Sequence, residues 1–284
     1  MFATASLARR IEHADAGLIR TIARAAARRV PEGDIVLEEM HGGVAAFVEP
    51  GSPYNKAAGF GFDGVPPAGA MEALERQFAA RNAPLQFEVS SLGDPALVRM
   101  LTTRGYVLTA FENVLGLAID PAAGARALPD GVRVTEAGET GSAAWMDAMA
   151  DGFMTPDVYD GPPSQDSIPR DVLTSIFGDS IAAGFDRYLA WRGDAVAGGA
   201  TFRTEDRVAQ FCGAATLPAH RRRGVQSALL QHRLNEGARL GCDVAVVTTT
   251  PGSTSQANVQ KAGFSLLYVR ANLVLTPPGA SPGA

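Results

Sequence analysis

Cysteine is scarce in this chain, and its scarcity excludes several classes of protein. Only Cys212 and Cys242 are present among 284 residues, both in apolar, strand-like or pre-strand surroundings. Two thiols are too few for a disulfide framework or a cysteine-based metal centre, so we expect free thiols and no metal site. No apolar run approaches the ~20 residues of a membrane-spanning helix. The sequence therefore predicts no membrane partner.

Positive charge is not in excess either. The chain carries 25 basic and 30 acidic residues, a formal net charge of −5. It therefore has no overall attraction to nucleic acid or to an anionic membrane surface. Near the N-terminus, Arg9 and Arg10 are accompanied by Glu12 and Asp15, and no apolar signal-peptide segment is found there. We expect a cytoplasmic location and no nucleic-acid partner.

One basic stretch stands out against this acidic background. A strand-like run, Val208–Thr216, leads through Pro218 to three arginines at 221–223, then to Gly224 and an apolar helix from Val225. The first-turn N–H groups of a helix have no partner within it, and the helix dipole favours negative charge there. A glycine also lets a phosphate approach the backbone closely. The pattern indicates an anion site; the alternative is a basic turn beside an amphipathic helix.

The order of these residues resembles motif A of the GNAT superfamily, the acyl-CoA-dependent N-acyltransferases. The motif positions are Arg221, Gly224 and Gln226, of which Gln226 replaces the small residue usual in the family. The family's next elements follow in order as a strand (244–249), a polar loop (250–254), a short helix closing on Ala262-Gly263-Phe264 and a final strand (266–275). The resemblance covers roughly residues 131–275. It implies an α/β fold with a mixed, mostly antiparallel sheet flanked by helices.

The last part of this pattern occurs twice. When Gly105-Tyr106 is set against Gly263-Phe264, a shift of 158 residues, a strand, loop, helix, Gly-aromatic pair and strand repeat in one order. The length suits one large or two ordinary domains. We therefore predict two GNAT-like domains: a degenerate copy at 1–121, a linker at 122–130, a catalytic copy at 131–276 and a disordered tail at 277–284. The first copy has Val65–Ala70, without basic residues, where the second has its arginines.

The resemblance implies acetyl-CoA as co-substrate. Its diphosphate would lie over the arginine–glycine turn, and its pantetheine arm would pair with the preceding strand as an extra strand. Ser255 and Asn258 would bond the arm, or else cap or decorate their helix. The cofactor-binding residues implied are Ala214, Ala215, Thr216, Arg222, Arg223, Gly224, Val225, Gln226, Ser227, Ser255 and Asn258.

The proton-handling positions depart from the family's pattern. Relatives place a carboxylate or a tyrosine where this chain has Gln210, Val247 and Val259. Tyr268 is the nearest alternative acid in sequence, although a strand tyrosine more commonly packs in a core. The candidate bases are Asp157, Asp160 and Glu205.

The function implied is transfer of an acetyl group from acetyl-CoA to an amine of a small molecule or amino-acid-like metabolite. The alternatives are acetylation of a protein N-terminus or lysine, and a non-catalytic acyl-CoA-binding regulatory module. We expect a small-molecule amine as partner and a monomer or homodimer.

Overall fold

The computed structural model of the protein describes residues 1–31, 33–156 and 168–277. Its helices are α1 (Ala5–Ala26), α2 (Ala68–Ala79), α3 (Pro95–Thr103), α4 (Ser142–Phe153), α5 (Arg170–Ala182), α6 (Val225–Arg239) and α7 (Thr254–Lys261), with a short 3₁₀ helix at Pro218–His220. Its strands are β1 (Val36–Met40), β2 (Gly43–Phe47), β3 (Lys56–Ala58), β4 (Leu85–Ser90), β5 (Val107–Ala118), β6 (Arg133–Glu136), β7 (Asp186–Arg192), β8 (Ala195–Glu205), β9 (Val208–Thr216), β10 (Val244–Thr249) and β11 (Ser265–Leu275). None of the described helices is both long enough and apolar enough to cross a membrane. Except for Pro277, the predicted tail lies outside the described residues.

The chain forms two compact units. The C-terminal unit consists of residues 114–267 with Met1, and the N-terminal unit consists of residues 2–113 with the chain from Tyr268 onward. The chain passes between the units inside β5 and inside β11, not at the predicted linker 122–130, which lies within the C-terminal unit. The difference arises from strand pairing, because β11 pairs with β4 of the N-terminal unit from Arg270 onward.

The C-terminal unit is a mixed sheet with helices packed on it. Its strands follow the order β5-β10-β9-β8-β7-β6. The pairs β6/β7, β7/β8 and β8/β9 are antiparallel, whereas β10 runs parallel to β9. The apolar face of α6 contributes much of the core, which includes Phe202, Phe211, Leu229 and Leu230. Valines and threonines make β10 a typical strand sequence.

The N-terminal unit has a sheet of the same kind. Its strands follow the order β1-β2-β3-β4-β11, with the first part of β5 next to β11. The parallel pair here is β3/β4, and β4/β11 is antiparallel. One face of this sheet carries an apolar core that includes Phe60, Phe78 and Phe87. Helix α1 is rich in alanine, which favours helix, and the Thr4 side chain caps it by accepting from the Leu7 N–H at 3.1 Å.

The element bounds follow the predicted repeat. Moved by 158 residues, β4 begins one residue before β10, α3 begins one residue before α7, and β5 begins at the first residue of β11. Gly105 and Gly263, which define the shift, each end a helix and begin the turn into the next strand. The sequence did not predict α5, which begins at Arg170.

Candidate active site

The parallel strands β9 and β10 separate part of the way along their length. They pair only between residues 208–210 and 244–246. β9 then continues to Thr216, held on its other edge by β8, in which Gly198 faces Thr216. On the β10 side, the stretch from Gly213 to Thr216 faces no strand of the described chain. An open strand edge of this kind can accept an additional extended segment.

A β-bulge lies where the two strands separate. Gln210 pairs with Arg203 and Gly213 pairs with Thr201, so two residues of β9, Phe211 and Cys212, stand opposite one residue of β8. Such an insertion bends the strand and increases its twist. The bend comes directly after Gln210, the last residue that β9 pairs with β10. The bulge therefore accounts for the divergence of β9 from β10.

The predicted anion site is present at the start of α6. Gly224 precedes the helix with φ of 80°, a left-handed conformation that favours glycine. The first backbone bond of the helix runs from the Ala228 N–H to the Gly224 carbonyl, so the N–H groups of residues 225–227 have no acceptor within the helix. Arg222 and Arg223 are exposed and form no ion pair with the described residues. The site combines open N–H donors with two available positive charges.

Arg221 has a different place from its two neighbours. Its Nε donates to the Thr216 carbonyl at 3.4 Å, and its Nη2 donates to the Thr155 carbonyl. The side chain therefore connects the end of β9 to the second residue after α4. Three successive arginines thus provide two open cations and one structural contact.

Two buried hydroxyl groups stand at the ends of the separating strands. Thr216 Oγ1 ends β9 and Thr249 Oγ1 ends β10, and neither has a hydrogen-bond partner among the described residues. A buried polar group without a partner costs about 1–3 kcal/mol. Both threonines end the strands that border the gap, where a ligand with polar groups could supply a partner. These two hydroxyl groups without partners are the observation that makes the gap compatible with the predicted cofactor arm.

Helix α7 begins just beyond β10. Ser253 caps it by accepting from the Gln256 N–H at 3.1 Å, so Ser255 is not the capping residue. Ser255 is exposed and Asn258 half-buried, and neither side chain bonds to another described residue. Residues three apart lie on one helix face. Both side chains therefore remain available on the same face.

The three positions at which the family resemblance implies proton-transfer groups are occupied by neutral side chains. Gln210 is buried, and its Oε1 accepts from Arg203 Nη1. Arg203 also pairs with Glu205, so that candidate base is held in an ion pair. Val259 lies in the core of the unit. The other candidate bases, Asp157 and Asp160, lie outside the described residues.

Tyr268, the predicted acid, belongs to the N-terminal unit, whereas motif A lies in the C-terminal unit. Its hydroxyl donates to Glu12 Oε1 at 2.7 Å, and the residue is 4% exposed. Burial, followed by the nearby Glu12 carboxylate, raises the pKa of the phenol well above 10. The structure thus favours the alternative that a strand tyrosine packs in a core, and the expected role in catalysis has no geometric support.

Sequence reasoning overlooked Arg233, a buried charged residue of the C-terminal unit. Arg233 lies on α6 and is 2% exposed. The signal was available, because Arg233 follows Leu229 by four residues and precedes Gly237 by four, both of which are buried on α6. An arginine at an apolar position of a helix indicates a buried polar contact.

Comparison with known proteins agrees with this geometry. Residues 155–264 match the model of the acetyltransferase (GNAT) family. A search of curated proteins gives no match. A GCN5-related N-acetyltransferase from Kribbella flavida superposes with a TM-score of 0.62 at 16% identity, over 93% of this chain and 96% of that chain.

Two further solved structures share the fold over nearly the whole chain. A tandem GNAT protein from the clavulanic acid biosynthesis pathway has a TM-score of 0.57 at 14% identity, over 92% of this chain and 89% of that chain. A GCN5-related N-acetyltransferase from Sphaerobacter thermophilus has a TM-score of 0.56 at 14% identity, over 95% and 94%. At these identities the likeness concerns the fold.

Proposed function

We propose that this protein transfers an acetyl group from acetyl-CoA to an amine of a small molecule or amino-acid-like metabolite. The proposal proceeds from the premise that residues 155–264 form a GNAT acetyltransferase domain. Acetyl-CoA supplies the acyl group as an activated thioester. The observation that carries the proposal is the continuity of two features: the open edge of β9 leads within eight residues into the N-terminus of α6.

The chain's own groups fit the two ends of such a ligand. The free N–H groups of residues 225–227 and the side chains of Arg222 and Arg223 would hold the diphosphate. The edge from Gly213 to Thr216 extends over about 10 Å and would pair with the amide-bearing arm. Ser255 and Asn258 would bond that arm from the direction of α7.

The kind of amine that accepts the acyl group is proposed from the absence of ionisable side chains at the positions where the family resemblance implies proton transfer. A lysine-like amine of pKa ~10.4 lies ~3.4 units above pH 7, and deprotonating it costs about 4.6 kcal/mol. An α-amino group of pKa ~7.7–8.0 costs only about 1–1.4 kcal/mol. Because Gln210 and Val247, at the two positions where the family resemblance implies a base, cannot take a proton from the amine, we propose an acceptor of low pKa.

A binding module without catalysis is the second candidate. It is favoured by Gln210, whose side chain is held by Arg203 and offers no carboxylate. Release of thiol from acetyl-CoA with any member of a panel of amines and peptides would exclude this module. Tight binding of acetyl-CoA without turnover over the whole panel would support it.

Calorimetry of the full chain tests the cofactor site. The double variant Arg222→Ala/Arg223→Ala should bind CoA about 10- to 100-fold more weakly, since hydrogen bonds to charged groups contribute about 1.5–3 kcal/mol each, less where exposed. The matched control is Arg76→Ala/Arg99→Ala, which removes the same charge from exposed positions on α2 and α3. Equal affinity of the two double variants, or no heat from CoA with the wild type, would contradict the proposal.

A further inference from the structure

Arg233 is a buried cation without a carboxylate partner. It projects from α6 and is 2% exposed, and no described acidic residue forms an ion pair with it. Burial lowers the pKa of its guanidinium to about 10, so the group is still charged at neutral pH. A buried charge is costly unless hydrogen bonds compensate for it. The partners of Arg233 therefore indicate why the charge is kept.

All of these partners are backbone carbonyls. Nε donates to the Leu229 carbonyl at 3.1 Å, within α6. Nη1 donates to two carbonyls at 3.3 Å, those of Thr201 on β8 and Gly213 on β9. The guanidinium carbon lies 4.4 Å from the centre of the Phe211 ring, within the range of a cation–π contact.

These contacts surround the β-bulge on both strands. Phe211 is the first residue of the bulge, and Gly213 and Thr201 form the first regular pair after it. A bulge disrupts the ladder of backbone bonds locally, and buried carbonyls there need another donor. Arg233 is that donor. It links the bulge directly to α6, the helix whose N-terminus forms the anion site.

We propose that Arg233 is a positioning residue that holds the bulge of β9 in place, and thereby fixes the open edge from Gly213 to Thr216 against which the acyl-bearing arm would lie. This inference rests on the proposed acyl-CoA site, and Arg233 itself touches no ligand in it. Misplacement of a reacting group by ~1 Å can lower a rate by ~100-fold. The role of Arg233 is thus separate from that of Arg222 and Arg223, which act at the phosphate end.

The test compares Arg233→Met, Arg233→Lys and the wild type as full chains. In Arg233→Met we expect kcat for acetyl transfer to fall about 10- to 100-fold, while the Kd for CoA measured by calorimetry changes less than about threefold. In Arg233→Lys an ammonium can reach one carbonyl but cannot bridge both, so kcat should fall to an intermediate value. Amide hydrogen exchange of residues 211–216 without ligand should accelerate in the same order.

The matched control is Arg239→Met on the same helix, where the side chain is 65% exposed and pairs with Glu236. It should leave kcat, Kd and exchange unchanged. A folded Arg233→Met variant with wild-type kcat and wild-type exchange would overturn this inference but not the proposed function. If the wild type binds CoA but turns over no amine, amide hydrogen exchange of residues 211–216 tests the inference. Faster exchange in Arg233→Met supports it, and unchanged exchange contradicts it. If the wild type binds no CoA, the proposed function fails and this inference fails with it.

Discussion

The two units differ most where their parallel strands meet. In the C-terminal unit β9 has nine residues and runs on beyond its pairing with β10, whereas β3 of the N-terminal unit has three and pairs with β4 only at Lys56 and Ala57. After β3 the chain turns at Gly59, with φ of 81°, where a Cβ would come within 2.8 Å of Ala16 Cβ on α1. The open strand edge of the C-terminal unit therefore has no counterpart in the N-terminal unit.

The chemistry between the paired strands differs as well. Glu88 on β4 corresponds by the 158-residue shift to Val246 on β10. Lys56 Nζ donates to Glu88 Oε1 at 2.6 Å, directly between β3 and β4. Beside this pair, Arg270 forms ion pairs with four carboxylates, which belong to Glu12, Asp15, Glu88 and Glu112.

Sheets of the same kind thus carry different polar groups in the two units. The N-terminal unit closes its polar sheet face with its own ion pairs. In the C-terminal unit two threonine hydroxyls, the first N–H groups of α6 and a strand edge have no partner among the described residues. Loss of the arginines at Val65–Ala70 is thus only part of the divergence, because the strand and the space beside it have changed too. On this basis we propose that the N-terminal unit has a structural role.

The largest effect is expected from removing the centre of the ion cluster. Arg270→Met leaves the buried Glu12 carboxyl without its ion-pair partner at 2.8 Å and leaves Glu88 with Lys56 alone. Breaking a buried ion pair by removing one partner typically costs about 3–5 kcal/mol. We expect the free energy of unfolding in urea, followed by far-UV circular dichroism, to fall by about that amount. In the other unit, Arg233→Met removes the side-chain donor to the carbonyls of Leu229, Thr201 and Gly213 and should cost about 1–3 kcal/mol.

The matched control for Arg270→Met is Arg104→Met, in the same unit. Arg104 pairs with Glu75 at 2.7 Å, but both side chains remain partly exposed, so about 1 kcal/mol is expected. If Arg270→Met were no more destabilising than this control, the cluster would not be what holds the N-terminal unit together.

A smaller effect is expected from the pH dependence of stability. Burial, and next the nearby Glu88 carboxylate, raise the pKa of Glu112 from 4.5 to about 7; Asp15 raises it further, and Lys56 and Arg270 oppose the rise. Between these pH values the folded protein holds a proton that the unfolded chain has lost. The stability that Glu112 contributes is therefore full below pH 4.5 and is lost as the pH rises to about 7. Through Glu112 alone, the free energy of unfolding falls by at most about 1.4 kcal/mol per pH unit over this range.

In Glu112→Gln, the free energy of unfolding, measured with urea between pH 5 and pH 7, should decline less steeply with pH than in the wild type. The control Glu72→Gln, at an exposed position on α2, should keep the wild-type slope. A Glu112→Gln protein with an unchanged slope would show that another group of the cluster holds the proton.

The sequence predicted the repeat and the anion turn because both are local patterns. A 158-residue shift aligns short elements without knowledge of their partners. The order of strand, arginines, glycine and helix fixes the N-terminus of α6 in the same way. The helix propensities and the turn residues that carry these patterns lie close together along the chain.

The division of strands between the units and the ion cluster could not be predicted in this way. β11 pairs with β4 across about 180 residues of sequence, and Arg270 bonds to Glu12 over 258. The residues around each partner do not indicate the other partner, because a buried glutamate cannot be distinguished from an exposed one in the sequence. The bond from the Tyr268 hydroxyl to Glu12 spans 256 residues and is equally invisible in the sequence.

The smallest effect is expected from Tyr268→Phe. The change removes one donor to Glu12 Oε1, which keeps the bond from Arg270 Nε at 2.8 Å, so the free energy of unfolding should fall by about 1–2 kcal/mol. Tyr106→Phe is the control, because its hydroxyl lies 3.3 Å from Glu75 Oε1 and should contribute less. The dependence of kcat on pH should be that of the wild type, since the phenol is buried in the N-terminal unit. A loss of kcat in Tyr268→Phe at unchanged stability would instead return this tyrosine to the reaction and end the separation of roles between the two units.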